Sequence, residues 1–282
     1  MCIRDRGGAL IDHYDWSGGT EAMLRFGPAT GPVVVLALAP FEEANRTRTL
    51  MVSVLRRLAE AKIAGVLPDL PGQGESLIAT EDATLADWRA AFAACVATLP
   101  HPRFSVSVRA GAMIDCEADV QARWSLSPQT GADLARELHR AARAADSPEG
   151  SGLLGTTPPP PAHTRIPAQA GIQGQTRQQL SGQRNPGLLP AQEHGGAMHK
   201  AHAGAAIEIA GNRIGTHLLD ALAGADIGTP DRIVRLNSDA RAADHRLPFS
   251  PLWRRAEPDT DPDLVQALAD DIAEWVRTWR AA

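Results

Sequence analysis

The chain is short of cysteine, short of aromatics, and without a long apolar run. It has three cysteines in 282 residues: Cys2, Cys95 and Cys116. An odd, widely spaced set with no C-x-x-C is neither a disulfide framework nor a zinc site, and it suits a reducing, cytoplasmic setting. No stretch approaches the ~18 consecutive apolar residues that a membrane-spanning helix needs. The first residues lack the apolar core of a signal peptide. Aromatics make up 4 % of the chain, so a core must come from aliphatic and small side chains. Positive charge is not in excess either: the net charge is −5 and the isoelectric point about 6.0. A phosphate-binding face needs a basic surplus, so a nucleic-acid partner is not expected. What remains is a globular balance, 44 % hydrophobic and 22 % charged, able to bury a sizeable core.

Two segments stand apart from that balance. Residues 1–6, MCIRDR, look like a translated sequencing-library adapter and are set aside. Residues 151–203 hold Pro158 to Pro161 and then HTRIPAQAGIQGQTRQQLSGQRNPG, rich in Gly, Pro, Gln and Ala. Such a run cannot bury enough apolar area to offset its ordering entropy. Part of it looks like the translation of a bacterial intergenic repeat. It is expected to be a disordered insertion, tolerated because loop entropy grows slowly with length. One domain, in two parts at 7–150 and 204–282, is then expected. The segment carries His194, His199 and His202, which could be metal ligands or simply a polar, His-rich loop. Without a strand or helix to hold them, no metal site is expected.

Elsewhere strands and helices alternate. PVVVLALAP (Pro32 to Pro40) reads as a strand buried on both faces. Asn45 can cap the following helix, which puts Leu50, Val54, Leu55 and Leu58 on one face. A strand at Ile63 to Leu67 precedes the Pro-Gly turn, and ATLADWRAAFAACVATL is a helix with Thr84 or Asp82 near its cap. RFSVSV is a third strand; AGAMIDCEADVQA reads as a helix, ARWSLSP as a strand or loop, and TGADLARELHRAARAA as a helix. AAIEIAGNRIG is extended and THLLDALAGA a short helix. RIVRLNSD and SPLWRRAE read as late strands. The closing helix is capped by Asp261 or Asp263, with Val265, Leu268, Ile272, Trp275 and Val276 inward. This alternation predicts an α/β fold, a mostly parallel sheet with helices on both faces. Ligands in such sheets bind at the carboxyl ends of the strands.

Two motifs fall at those ends. DLPGQGES (Asp69 to Ser76) follows a buried strand but lacks the G-x-x-x-x-G-K-[ST] of a phosphate loop, and no cofactor is expected. SVRAG, Ser107 to Gly111, follows the third strand. Strand, D-x-P-G-x-G-x-S, helix, strand and elbow is the layout of an α/β-hydrolase, whose nucleophile sits in a G-x-S-x-G turn. The chain resembles, more narrowly, the second type of α/β-hydrolase-like protein associated with exosortase A systems. APFEEANRTRTLM, VLPDLPGQGES, SVRAGA, RWSLSPQTGADLARELHRA, IEIAGNRIG and PLWRRAEPDTDPDLVQAL carry the resemblance. It implies a hydrolase of ester or amide bonds in an exopolysaccharide context. The family pattern runs on continuously where this chain has residues 151–203, in keeping with an insertion.

The chemistry such a site needs is only partly present. Arg109 stands at the nucleophile position, and a guanidinium stays protonated and donates only. The backbone N–H of Ala110 and that of Phe41 or Glu42 would form the oxyanion hole. Asp239 is placed to be the acid, while His245, the candidate base, precedes the strand expected near Leu252 to Arg255. Ser107 lies on the same side as Arg109 but deeper, and Cys116 reads as a small packed side chain. Arg109 then either holds a small anionic or acyl ligand, or pairs internally with Asp69, Asp239, Glu42 or Glu43. Glu42 and Glu43 are either a carboxylate pair for acid–base work or a helix start stabilised by its dipole. Two functions stay open: a hydrolase, or a catalytically inactive hydrolase fold that binds an anion or a protein partner. Trp275 and Trp279 read as a packing face.

Overall fold

In a computed structural model, the residues described are 3–4, 8–145, 205–255 and 261–281. Among them nine strands form one sheet. In chain order these are β1 (Ile3–Arg4), β2 (Leu10–Trp16), β3 (Gly19–Phe26), β4 (Val33–Ala37), β5 (Ala64–Pro68), β6 (Arg103–Val108), β7 (Ala122–Leu126), β10 (Arg232–Leu236) and β11 (His245–Leu247). Two more, β8 (Ala206–Ile209) and β9 (Asn212–Gly215), make a separate antiparallel hairpin. The sheet order is β1-β2-β3-β5-β4-β6-β7-β10-β11. From β5 to β11 every neighbouring pair is parallel, and the three N-terminal strands are antiparallel. This is a mostly parallel sheet with helices on both faces, as the alternation of elements leads one to expect. β1 falls within residues 1–6 and pairs with Leu10 and Ile11. Residues 151–203, with His194, His199 and His202, lie outside the described residues.

Each face of the sheet carries its own core. On one side α1 (Glu42–Glu60) and α5 (Pro262–Ala281) bury Leu50, Val54, Leu55, Leu58, Leu268 and Ile272 against β4, β6 and β7. On the other, α2 (Leu85–Ala97), α3 (Gly131–Ala145) and α4 (Thr216–Ala223) bury Trp88, Phe92, Leu134 and Leu218. Each such side chain contributes about 1.5–3 kcal/mol on leaving water. β4 is buried at all five positions, which is why its sequence is a continuous apolar run rather than an alternating one.

Local signals explain most element ends. Thr84 caps α2 in a capping box with Asp87. Asp261 Oδ1 accepts from the N–H groups of Asp263 and Leu264 and so opens α5. Three expectations change. Helix α1 begins at Glu42 after Phe41, so Asn45 lies within it and caps nothing. AGAMIDCEADVQA forms two 3-10 turns, Arg109–Met113 and Asp115–Glu117, instead of an α-helix. The reason is packing: a Cβ on Gly111 would lie 2.2 Å from the Ala37 carbonyl oxygen, and Asp115 turns inward to Ser105 at 2.5 Å. SPLWRRAE is not a strand either. Leu252–Arg254 is a 3-10 turn that buries Leu252 and Trp253, and the last strand is β11, which contains His245.

Candidate functional site

The site is built where β4 and β6, neighbours in the sheet, reach their carboxyl ends. Arg109 follows β6 directly and has φ 54, a left-handed conformation that costs a non-glycine residue roughly 1 kcal/mol. Phe41, after β4, has φ 61. Gly111 lets the turn after Arg109 press against the end of β4. Arg109 thus stands at a strained strand-to-turn bend, the geometry that an elbow reading of SVRAG expects.

The Arg109 side chain is 8 % exposed and is engaged through Nε and Nη2. Its Nε donates to Glu43 Oε1 at 3.0 Å. Its Nη2 donates to Glu137 Oε1 and Oε2 at 3.1 and 3.0 Å. Its Cζ lies 5.3 Å from the centroid of the Trp253 ring, close enough for a cation–π contact. One residue thus ties together β6, the first turn of α1, α3 and the turn at Leu252–Arg254. Of the internal partners expected from sequence, Glu43 is one; Asp69 pairs with Arg48, Glu42 with Arg46, and Asp239 with Arg235 and Arg241. Burial pushes the Glu43 carboxyl upward, against the pull of Arg109, and its Oε2 is buried without a hydrogen-bond partner.

Above this cluster lies a cavity of about 670 Å³, within the range of small-molecule sites. Leu134, Glu137, Leu138 and Ala141 of α3 form one wall, at i, i+3, i+4 and i+7 along the helix. Glu137 and Trp253 were not singled out by the sequence. The available signal for Glu137 was a charge on the apolar stripe of α3. Trp253 was hidden by the strand reading of its segment.

Asp239 and His245 are bonded to residues other than Arg109. Asp239, after β10, accepts from Arg235 Nη1 at 2.6 Å and from Arg241 Nη2 at 2.9 Å. Burial works against its charge, but Arg241 and Arg235 hold it well below the usual carboxylate range. His245 is the first residue of β11, at the amino end of the parallel strands, and its Nδ1 lies 2.5 Å from Asp271 Oδ2 on α5. The structure does not bring Asp239, His245 and Arg109 into one triad. Ala110 is buried beside the elbow, and Phe41 and Glu42 line the cavity. Ser107 is fully buried and bonded to Ser125 Oγ at 2.7 Å, out of reach of the cavity. Burial raises the Cys116 thiol, which favours its unreactive protonated form. Among the described residues, no cluster of His, Cys, Asp and Glu could hold a metal, and no helix is long and apolar enough to cross a membrane.

No protein-family model and no curated protein matches the chain. Parts of it are similar to several solved structures. One is a protein of Agrobacterium vitis S4 provisionally described as a hydrolase, at 17 % identity and TM-score 0.39, over 50 % of this chain and 61 % of the other. Another is an epoxide hydrolase from Vigna radiata, at 18 % and 0.37, over 44 % and 41 %. A third is the thioesterase domain from the curacin biosynthetic pathway, at 19 % and 0.36, over 42 % and 44 %. Each match spans less than two thirds of the other chain.

Proposed function

We propose that this is a cytoplasmic protein of α/β-hydrolase-like fold whose elbow pocket binds a small anionic ligand without Ser-His-Asp hydrolysis. Its setting is the exosortase and exopolysaccharide system that the sequence resembles. One observation carries the reading: the elbow apex is Arg109, a cation that lines the cavity and cannot serve as a nucleophile. Serine chemistry needs a nucleophile, a base within reach and an orienting acid, and the candidate base and acid are engaged elsewhere. The test is turnover of short-chain acyl esters by the wild type and by Arg109→Ser, beside labelling with a serine-reactive phosphonate. Both proteins are expected to be inert and unlabelled. Turnover by the wild type, with label on Ser107, overturns the reading.

A second reading, hydrolysis of an ester or amide bond, is favoured by one feature. Glu43 combines an upward-shifted carboxyl, a fixed Oε1 and an unpaired Oε2 beside the cavity, the attributes of a general acid. Ester turnover that survives phosphonate and is abolished in Glu43→Gln would establish it.

A further inference from the structure

We infer that the elbow pocket takes an amphipathic anion, its head held between Arg140 and Arg254 and its apolar body lying along α3. This inference rests on the binding reading above and makes it more specific. Its basis is a charge inventory of the cavity wall. Arg46 is paired with Glu42, and Arg109 is shared by Glu43 and Glu137. Arg109 therefore keeps only the N–H groups of its Nη1 for a ligand. Arg140 and Arg254 also line the cavity. Among the described residues neither forms an ion pair: Arg140 Nε donates to the Arg136 carbonyl, and the Arg254 guanidinium is uncommitted. Arg140 comes from α3 and Arg254 from the 3-10 turn that carries Trp253, so the two cations arise on different walls.

Beyond these cations, their carboxylate partners and Asn212, the wall is apolar. Leu134, Leu138, Ala141 and Ile209 contribute aliphatic surface, joined by Phe41 and Trp253. An inorganic anion would leave that surface wet, and a neutral apolar molecule would use neither Arg140 nor Arg254, both of which are exposed. A single anionic head on an apolar body satisfies both, and a guanidinium binds carboxylate or phosphate oxygens.

The test uses the full chain and calorimetric titration with octanoate, octyl phosphate, 1-octanol, octyltrimethylammonium, acetate and inorganic phosphate. Octanoate or octyl phosphate, or both, should bind saturably; whichever binds more tightly identifies the head group. The alcohol, the ammonium compound and the two short anions should bind at least about tenfold more weakly, the loss expected for one charge-assisted contact. Arg140→Gln and Arg254→Gln should each weaken octyl-anion binding about tenfold. Their unliganded melting temperatures should stay unchanged, because neither residue is paired. Equal binding of the alcohol, or undiminished binding in both variants, overturns the inference. Binding of the short anions as tight as that of the octyl anions overturns the amphipathic class but leaves the anion-binding function standing. Acyl-ester turnover by the wild type overturns the function itself, independently of these titrations.

Discussion

Arg109 Nε and Glu43 Oε1 meet at 3.0 Å across 66 residues of sequence, and the contact joins the end of the central strand to the start of α1. Glu137 completes the clamp from α3. Removing the cation should leave two carboxylates facing one another, one of them buried. Arg109→Met is expected to lower stability by about 2–4 kcal/mol, somewhat below the cost of breaking a fully buried pair because Glu137 is 40 % exposed. Adding Glu43→Gln should recover part of that loss. Urea unfolding of the single and double variants measures both; a Glu43→Gln that deepens the loss would mean that Glu43 holds the fold by another contact.

Gly111 should be nearly irreplaceable. A Cβ there would sit 2.2 Å from a backbone oxygen of β4, which no rotamer change can relieve. Gly111→Ala should cost about 3 kcal/mol, the upper end of overpacking penalties. Gly211, at the tip of the β8–β9 hairpin, has φ 77 and open space around it. Gly211→Ala should cost only the ~1 kcal/mol of a left-handed backbone. Thermal melts of the two variants separate packing from backbone strain.

Much of this architecture could be read from the sequence where a local cause was sufficient. The five apolar residues of β4 and the Thr84–Asp87 box of α2 are such cases. Where an element answers to a distant partner, the sequence misleads. The residues after Arg109 have helical composition, yet contact with Ala37 forces a tighter turn. β11 is three residues long and two are exposed, so it has no periodic signal, and the more apolar PLW segment drew the strand reading instead. That single misplacement also misplaced His245. Arg109 as an oddity was visible at once; Glu137 was not, because nothing in a linear chain relates positions 109 and 137.

Asp115 should make stability depend on pH. It is 2 % exposed, bonded to Ser105, and burial pushes its carboxyl up to about 6, from an ordinary 3.8. Since the folded state prefers the protonated form, its contribution is full below pH 3.8 and is lost as pH rises past about 6. Asp115→Asn removes the charge and keeps a hydrogen-bonding group. It should be more stable than wild type at pH 8 by about 3 kcal/mol at most, with the advantage fading below about pH 4. Unfolding midpoints across that range give the slope and its sign.

Asp271 should act in the opposite sense. Burial disfavours its charge, but hydrogen bonds from Arg232, Trp124 and His245 outweigh that and hold its carboxyl below the ordinary value. The stability it lends is present above the ordinary carboxylate range and lost as pH falls through its lowered pKa. Asp271→Asn strands Arg232 and His245 and should cost about 3 kcal/mol at pH 7. The difference from wild type should narrow in acid. A penalty that is constant with pH would mean that packing, not charge, is what Asp271 supplies.

The left-handed turn at position 109 has a consequence for engineering. Its backbone is set by β4, β6 and Gly111, not by the guanidinium that now occupies it. The position works as a socket: its aim into the cavity is fixed by the scaffold, and its chemistry by whichever side chain is plugged in. Building an enzyme here would call for a base within reach of that socket, not for a new fold around it.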